Sequence, residues 1–236
     1  MTAIYMREMR SYFTSPIGYI FTAIYFAVSG FCFYYMVLSD GATGSVSGYF
    51  TSLIFVFIVI VPLLTMKMFS EEKKQRTEQL LLTSPVSLWG MVGGKFFAAY
   101  TMFAASFLCS AVINAIALGI YGTPNMAVFL GNVLSVLLMG GAFIAIGTFL
   151  SSLTESQLVA ALLTMFLIAV LLLVSFFTPY VNLAWLRVVM NWISIFTRFS
   201  NFAYGIFDAA SLLYYLSIVF AFLFLTVRMY ERKRWS

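Results

Sequence analysis

The chain offers few groups that could do chemistry: eight carboxylates, at Glu8, Asp40, Glu71, Glu72, Glu78, Glu155, Asp208 and Glu231, and no histidine. Acid–base or metal-assisted catalysis needs such groups to converge at one depth, or to follow a ligand spacing such as HExxH. No such spacing occurs, and no carboxylate falls in the middle of a long apolar run. Proton relays and ion-coupled carriers are marked by ionisable groups inside the membrane, so this pattern weighs against that class. Cys32 and Cys109 both lie in apolar runs, which excludes a disulfide-stapled secreted fold. Gly93-Gly94-Lys95 has the outline of a phosphate loop, but the earlier glycine is missing and Phe96 stands where Ser or Thr is required. It reads instead as the end of a charged segment, with Lys95 anchoring the following helix at an interface. The expectation is no catalytic, metal or cofactor residue in this chain; if ATP is used, another chain must hold it.

What remains is polar contact. Ser106, Ser110 and Asn114 recur every four residues and share one helical face, and Gly140, Gly141, Ala145 and Gly147 concentrate in the next apolar stretch. Small residues let helices approach closely, and buried polar groups then find partners across the contact. Intrachain packing, a subunit interface and the wall of a pathway all fit. The densest charge lies in 69–90. Residues 70–82 favour a helix, with Ser70 as its cap, Lys74 and Glu78 paired at i,i+4, and Pro85 as its stop. Val86, Leu88 and Trp89 then form an apolar turn. A charged helix followed by such a turn suits docking in a partner's groove; the alternative is a solvated helix whose turn rests on lipid headgroups. A third segment, 178–210, carries Trp185, Trp192, Phe196, Phe199, Phe202, Tyr204 and Phe207 with Arg187, Arg198 and Asp208. It is too polar to span a membrane twice and too apolar for a free loop, so a re-entrant helix pair at the outer interface is expected. Such a pair either gates an outward exit or seals the outer surface.

The elements that must position these groups are membrane helices. The 236 residues are 63% hydrophobic and 9% charged, and mean hydropathy is +1.00. Average soluble domains carry about 25% charged residues, so lipid must be the solvent for most of the surface. About 20 apolar residues cross the hydrocarbon core, and six stretches qualify: 17–38, 49–68, 96–121, 126–150, 158–177 and 211–228. Runs such as 53–64 are apolar at every position, which excludes the alternating pattern of a barrel. Ser15-Pro16, Ser84-Pro85 and Thr123-Pro124 place a capping hydroxyl before a proline, as at helix starts. Pro62 falls inside the second span, as a packing kink or a hinge. Ile4, Tyr5, Met9, Tyr12 and Phe13 suit an interfacial helix ahead of the first span. No cleavage site follows, so the first span should remain as a signal anchor.

Arg7, Arg10, Lys67, Lys73, Lys74, Arg76, Lys95, Arg228, Arg232, Lys233 and Arg234 fall on one side of six alternating spans, against Arg187 and Arg198 on the other. By the excess of positive charge on cytoplasmic loops, both termini are expected in the cytoplasm. The formal charge of +5 is thus topology and implies no nucleic acid. The expected product is one all-α integral membrane domain, 1–236, in a bacterial cytoplasmic membrane.

The order of interfacial helix, two spans, charged cytoplasmic helix, three spans, aromatic outer segment and last span resembles the ABC-2 type transporter permeases. The run Glu-Gln-Leu-Leu-Leu-Thr-Ser-Pro-Val-Ser at 78–87, with Gly94-Lys95 following, looks like that family's stretch between spans two and three. The stretches 10–20 and 213–235 are similar to the branch of gliding-motility-associated and nitrous oxide reductase maturation permeases. The resemblance implies a dimer with a second copy or a related permease chain, working with separate cytoplasmic ATPase subunits that bind ATP and Mg. It implies a coupling helix at 71–82, with Glu71, Glu72, Lys74, Gln75, Glu78, Gln79 and Leu82 toward the ATPase, and outer re-entrant helices at 178–210. That branch is often associated with an outward-facing auxiliary subunit. Two other classes remain open: an ion-coupled carrier or channel working alone, and a membrane anchor or assembly factor that transports nothing.

Overall fold

The computed structural model describes residues 2–39, 46–77, 87–121, 125–205 and 208–235. Among these residues there is no strand, and ten α-helices form. α1 is Thr2–Thr14; α2 is Pro16–Phe33, extended by a π turn over Tyr34–Leu38; α3 is Val46–Thr65 and α4 is Lys67–Lys74. α5 is Leu88–Tyr121, α6 Met126–Leu153 and α7 Gln157–Phe177. After a 3-10 turn at Thr178–Tyr180 come α8 (Ala184–Ile193), α9 (Ile195–Ala203) and α10 (Ala209–Trp235).

Six stretches among the described residues are long and apolar enough to cross a membrane: Pro16–Leu38, Val46–Lys74, Leu88–Tyr121, Met126–Leu153, Gln157–Tyr180 and Ala209–Arg234. They coincide with the six expected spans, at longer bounds. α6 is the central helix, packed by α3, α4, α5, α7, α9 and α10. Phe50, Phe57, Phe103, Phe107 and Phe129 fill the space around it with edge-on and stacked ring contacts. Outward, Ile116, Ile120, Leu130, Phe166, Leu213 and Phe220 stay exposed, as an apolar bundle in lipid requires. Since lipid tails are as apolar as these side chains, close packing and interhelical hydrogen bonds must hold the bundle.

Several boundaries depart from the expected ones. Ser70 does not cap a helix; it lies inside α4, where its hydroxyl donates to the Met66 carbonyl. The helix expected over 70–82 ends at Lys74. There the Arg76 N–H bonds the Lys73 carbonyl and the Thr77 N–H bonds the Glu72 carbonyl, each at 3.0 Å, with Arg76 left-handed at φ 56°. This is the paired closing pattern of a Schellman cap, with arginine where glycine is usual. Residues 78–86, including Glu78, Gln79 and Leu82, lie outside the described residues. The third span begins at Leu88, eight residues earlier than expected, because the Ser87 hydroxyl accepts the Gly90 N–H at 3.1 Å. Leu88 and Trp89 therefore form the first turn of α5 rather than a separate apolar turn. Ser15 occupies the N-cap position before Pro16 without a side-chain cap bond. Asn125 caps α6, accepting from Ala127 and Val128, while Thr123 and Pro124 fall outside the described residues. Pro62 is buried inside α3, which continues past it to Thr65.

Candidate functional site

Basic and acidic side chains meet where α1, α4 and α5 converge. The Lys95 ammonium, 2% exposed, donates to Glu8 at 3.1 Å and to the Met68 carbonyl at 2.6 Å, and pairs with Glu72 at 2.9 Å. It also lies 5.1 Å from the centroid of the Phe69 ring. Arg7 closes the circuit, bonding Glu8 at 2.8 Å and Glu72 at 2.7 Å. Two cations thus face two carboxylates in formal neutrality. That balance is what allows a lysine to be buried, since an unpaired buried charge is costly. Burial alone would raise the Glu8 pKa, but the charge of Lys95 and the bonds from Arg7 and Lys95 outweigh it and hold the carboxyl below its usual range.

α4 is tied equally firmly to the central helix. α3 and α4 meet at Met66, whose N–H bonds the Pro62 carbonyl at 2.9 Å. The Ser151 hydroxyl of α6 accepts from Phe69 N at 3.1 Å and Ser70 N at 3.3 Å, and donates to the Met66 carbonyl at 3.2 Å. Lys73 donates to the Ser152 carbonyl. The eight residues of α4, at the end of span two, are therefore bonded to spans three and four and to the N-terminal helix.

Two clefts flank this joint. One, of about 480 Å³, is lined by Arg7, Glu8, Ser11, Lys67, Glu71, Glu72, Gln75, Thr77 and Lys95. The other, of about 470 Å³, has Lys74 on one wall and Glu155 to Leu158 on the other. The structure thus brings Glu71, Glu72 and Gln75 to one cleft and Lys74 to its neighbour. Glu72 is turned inward to Lys95 and Arg7. Lys95 itself is a correction: it does not reach out to anchor at the interface but is buried among carboxylates. Arg7 and Glu8 were not singled out in the sequence. The available signal was a lone lysine following Gly93-Gly94 in an apolar run, which demands a carboxylate partner from elsewhere.

The small and polar stripes have intrachain partners. Ser110 bonds Ser29 at 2.7 Å, Ser29 bonds Tyr49 at 2.8 Å, and the Asn114 amide donates to the Tyr49 hydroxyl at 2.7 Å. These ties join spans one, two and three inside the bundle. Ser106 donates to the Met102 carbonyl of its own helix. Gly140 is a packing position, because a Cβ there would come within 2.2 Å of the Phe103 ring. Gly141 faces Tyr100, with 3.3 Å from a Cβ to the ring.

The aromatic segment divides into two unlike helices. α9 buries Ile195, Phe199 and Phe202 against α6 and α7, whereas α8 buries none of its residues. Trp185 and Trp192 are 67% and 72% exposed. Arg187 folds back to donate to the Val181 carbonyl at 2.8 Å, and Arg198 lies over the Tyr214 ring at 5.7 Å. Asp208 accepts from Ser211, Asn201 and the Ala210 N–H at the start of α10. The Ser211 and Asn201 bonds hold its carboxyl below the usual range. It therefore acts as a helix cap.

Six apolar helices among the described residues, α6 at their centre, with a charged joint at one end and amphipathic helices at the other, are the build of a multi-pass membrane protein. The family described as ABC-2 family transporter protein matches residues 16–228, and the chain belongs to it. No curated protein matches the chain. The class is that of a transmembrane permease subunit, and such subunits are generally non-catalytic and work with ABC ATPase partners.

Proposed function

We propose that this chain couples ATP hydrolysis in a separate ATPase to substrate export, or to force transmitted across the membrane. The single observation that carries the proposal is the Arg7–Glu8–Glu72–Lys95 network, which ties α4 to the start of span three and to the N-terminal helix. The excess of Lys and Arg at this end assigns it to the cytoplasm, with both termini. An ATPase, holding ATP and Mg, docks over the segment 71–82: Glu71 and Gln75 from the cleft side, Lys74 from the other, and Glu78, Gln79 and Leu82 beyond. When the ATPases close, α4 moves, and its bonds to α1, α5 and α6 carry the displacement into the bundle. Docking alone does no work; the ATPase must hold α4 differently in its two nucleotide states.

A second permease copy or a related chain completes the pore. The outer pair α8 and α9 corresponds to the re-entrant helices, with Trp185, Arg187, Trp192, Arg198 and Phe199 as outer-gate residues and Asp208 at their base. An outward-facing auxiliary subunit fits this end. The runs at 10–20 and 213–235 favour the gliding-motility and nitrous oxide reductase maturation branch. The test is purification of the tagged chain from its native membrane in mild detergent, with companions identified by mass spectrometry. A stoichiometric ABC ATPase, lost with Glu78→Lys while membrane insertion is unchanged, is the expected result. An ATPase-free homo-oligomer would overturn it in favour of a stand-alone carrier or an anchor.

A further inference from the structure

We propose that the groove between α5 and α10 holds one acyl chain of an anionic phospholipid, with its headgroup at Arg228. A cavity of about 200 Å³ opens there with an almost wholly apolar lining, between Phe97 and Tyr100 on α5 and Leu216 and Val219 on α10. α6 closes it with Leu137, Leu138 and Gly141. From the cavity toward the charged end, the groove continues along a ladder of rings. Trp89 stacks on Phe220 at 6.0 Å and meets Phe224 at 6.2 Å. The Arg228 guanidinium caps the ladder, 5.0 Å from the Phe224 centroid.

Leu216, Phe220, Phe224 and Arg228 are spaced at four residues and so form one stripe. Twelve residues of helix rise about 18 Å, close to the roughly 15 Å of one leaflet's hydrocarbon. A lipid with its phosphate at Arg228 thus places its chain end in the cavity. Arg228 is 62% exposed on its side chain and paired on one side with Glu231 at 2.8 Å. Arg232, four residues on, continues the stripe, so two basic groups meet the one acid Glu231 and the rim selects an anion. A helix from a second copy is the poorer occupant. Membrane helices meet across small residues, whereas the rims here are Trp89, Phe97 and Phe220, 45%, 46% and 63% exposed, and Gly141 alone of the lining is small. The inference rests on the proposed orientation, because anionic lipid is concentrated in the cytoplasmic leaflet.

The test is native mass spectrometry of the full chain, delipidated in detergent and titrated with phosphatidylglycerol or with phosphatidylcholine of the same acyl chains. The wild type should retain one phosphatidylglycerol in preference to phosphatidylcholine. Arg228→Gln should lower phosphatidylglycerol retention about fivefold, lower phosphatidylcholine retention less, and so shrink the preference between them. Gly141→Leu fills the cavity and should abolish retention of both. Where that variant does not fold, Leu216→Trp fills the cavity from its lipid-facing rim. Equal retention of the two lipids by the wild type, or retention unaffected by these substitutions, overturns the proposal. So does a dimer peak lost on filling the cavity, which would assign the groove to a second copy. ATPase copurification does not enter this readout, so failure of the groove and failure of the coupling role are scored separately.

Discussion

The two ends of the bundle are built on opposite principles. At the charged end, α4 is held by Arg7, Lys95 and Ser151 and by its own Lys73 on Ser152, and the cations Arg7 and Lys95 are matched in number by Glu8 and Glu72. At the other end, α8 leaves all its residues unburied and is fastened at its C-terminal junction. There Tyr214 donates to the Ile193 carbonyl at 2.8 Å, Tyr215 to the Ile195 carbonyl at 2.9 Å, and Ser175 bonds Ser194 at 2.6 Å. Under the proposed coupling, one end is a lever that moves only with its neighbours and the other a flap on a pinned hinge, the asymmetry needed to receive force at one face and yield at the other.

The largest expected effect lies at the lever. Lys95→Met removes the cation shared by Glu8 and Glu72 and leaves both carboxylates with Arg7 alone. Breaking a buried pair by deleting one partner costs about 3 kcal/mol or more, and thermal unfolding in detergent should show it. ATPase coupling should fall with it, even in the folded fraction. A stability loss below 1 kcal/mol would mean that the joint is hydrated and the lever is soft. Acid provides a second handle. Glu8 titrates below its ordinary value of 4.5, so its contribution is present above that value and is lost as pH falls through its folded pKa. The wild type should therefore keep this contribution from pH 5 upward and lose it in more acidic solution. In Lys95→Met the acid-dependent loss should shrink, because the largest favourable charge acting on Glu8 is gone. An unchanged acid profile would remove Lys95 as its cause.

At the hinge the effect should be intermediate. Ser194 caps α9, accepting the Thr197 N–H at 3.2 Å as well as bonding Ser175. Ser194→Ala should cost about 1 kcal/mol, the usual value of an N-cap, measured by the same thermal assay. It should loosen the outer pair without disturbing ATPase binding. Loss of the ATPase from folded Ser194→Ala protein would mean that the two ends are not separable in the way the contacts indicate.

The spans were legible because their signal is local: six long apolar runs, and a basic excess on one side of them. The Ser106, Ser110 and Asn114 stripe was legible because a four-residue spacing survives in the sequence. What was not legible depends on groups far apart in the chain. Lys95 takes its partners from Glu8 and Glu72, and Ser110 and Asn114 take theirs from Ser29 and Tyr49. The end of α4 was misread for a different reason. Lys74 and Glu78 are a good i,i+4 pair, but Arg76 adopts a left-handed conformation that arginine rarely signals. The contrast between α8 and α9 was also hidden, since both are rich in aromatic residues and only packing separates Phe199 from Trp192.

The smallest effect is expected on the exposed face of α8. Trp192 is 72% exposed, so Trp192→Ala removes no protein packing of consequence and should change stability by less than about 0.5 kcal/mol. In lipid the same substitution deletes a ring suited to the membrane interface. The variant should therefore unfold like the wild type in detergent, yet alter transport or signalling when reconstituted. Normal activity together with normal stability would leave α8 as a passive cover. A large stability loss in detergent would show that α8 packs against a surface of the protein, and the contrast between lever and flap would fail.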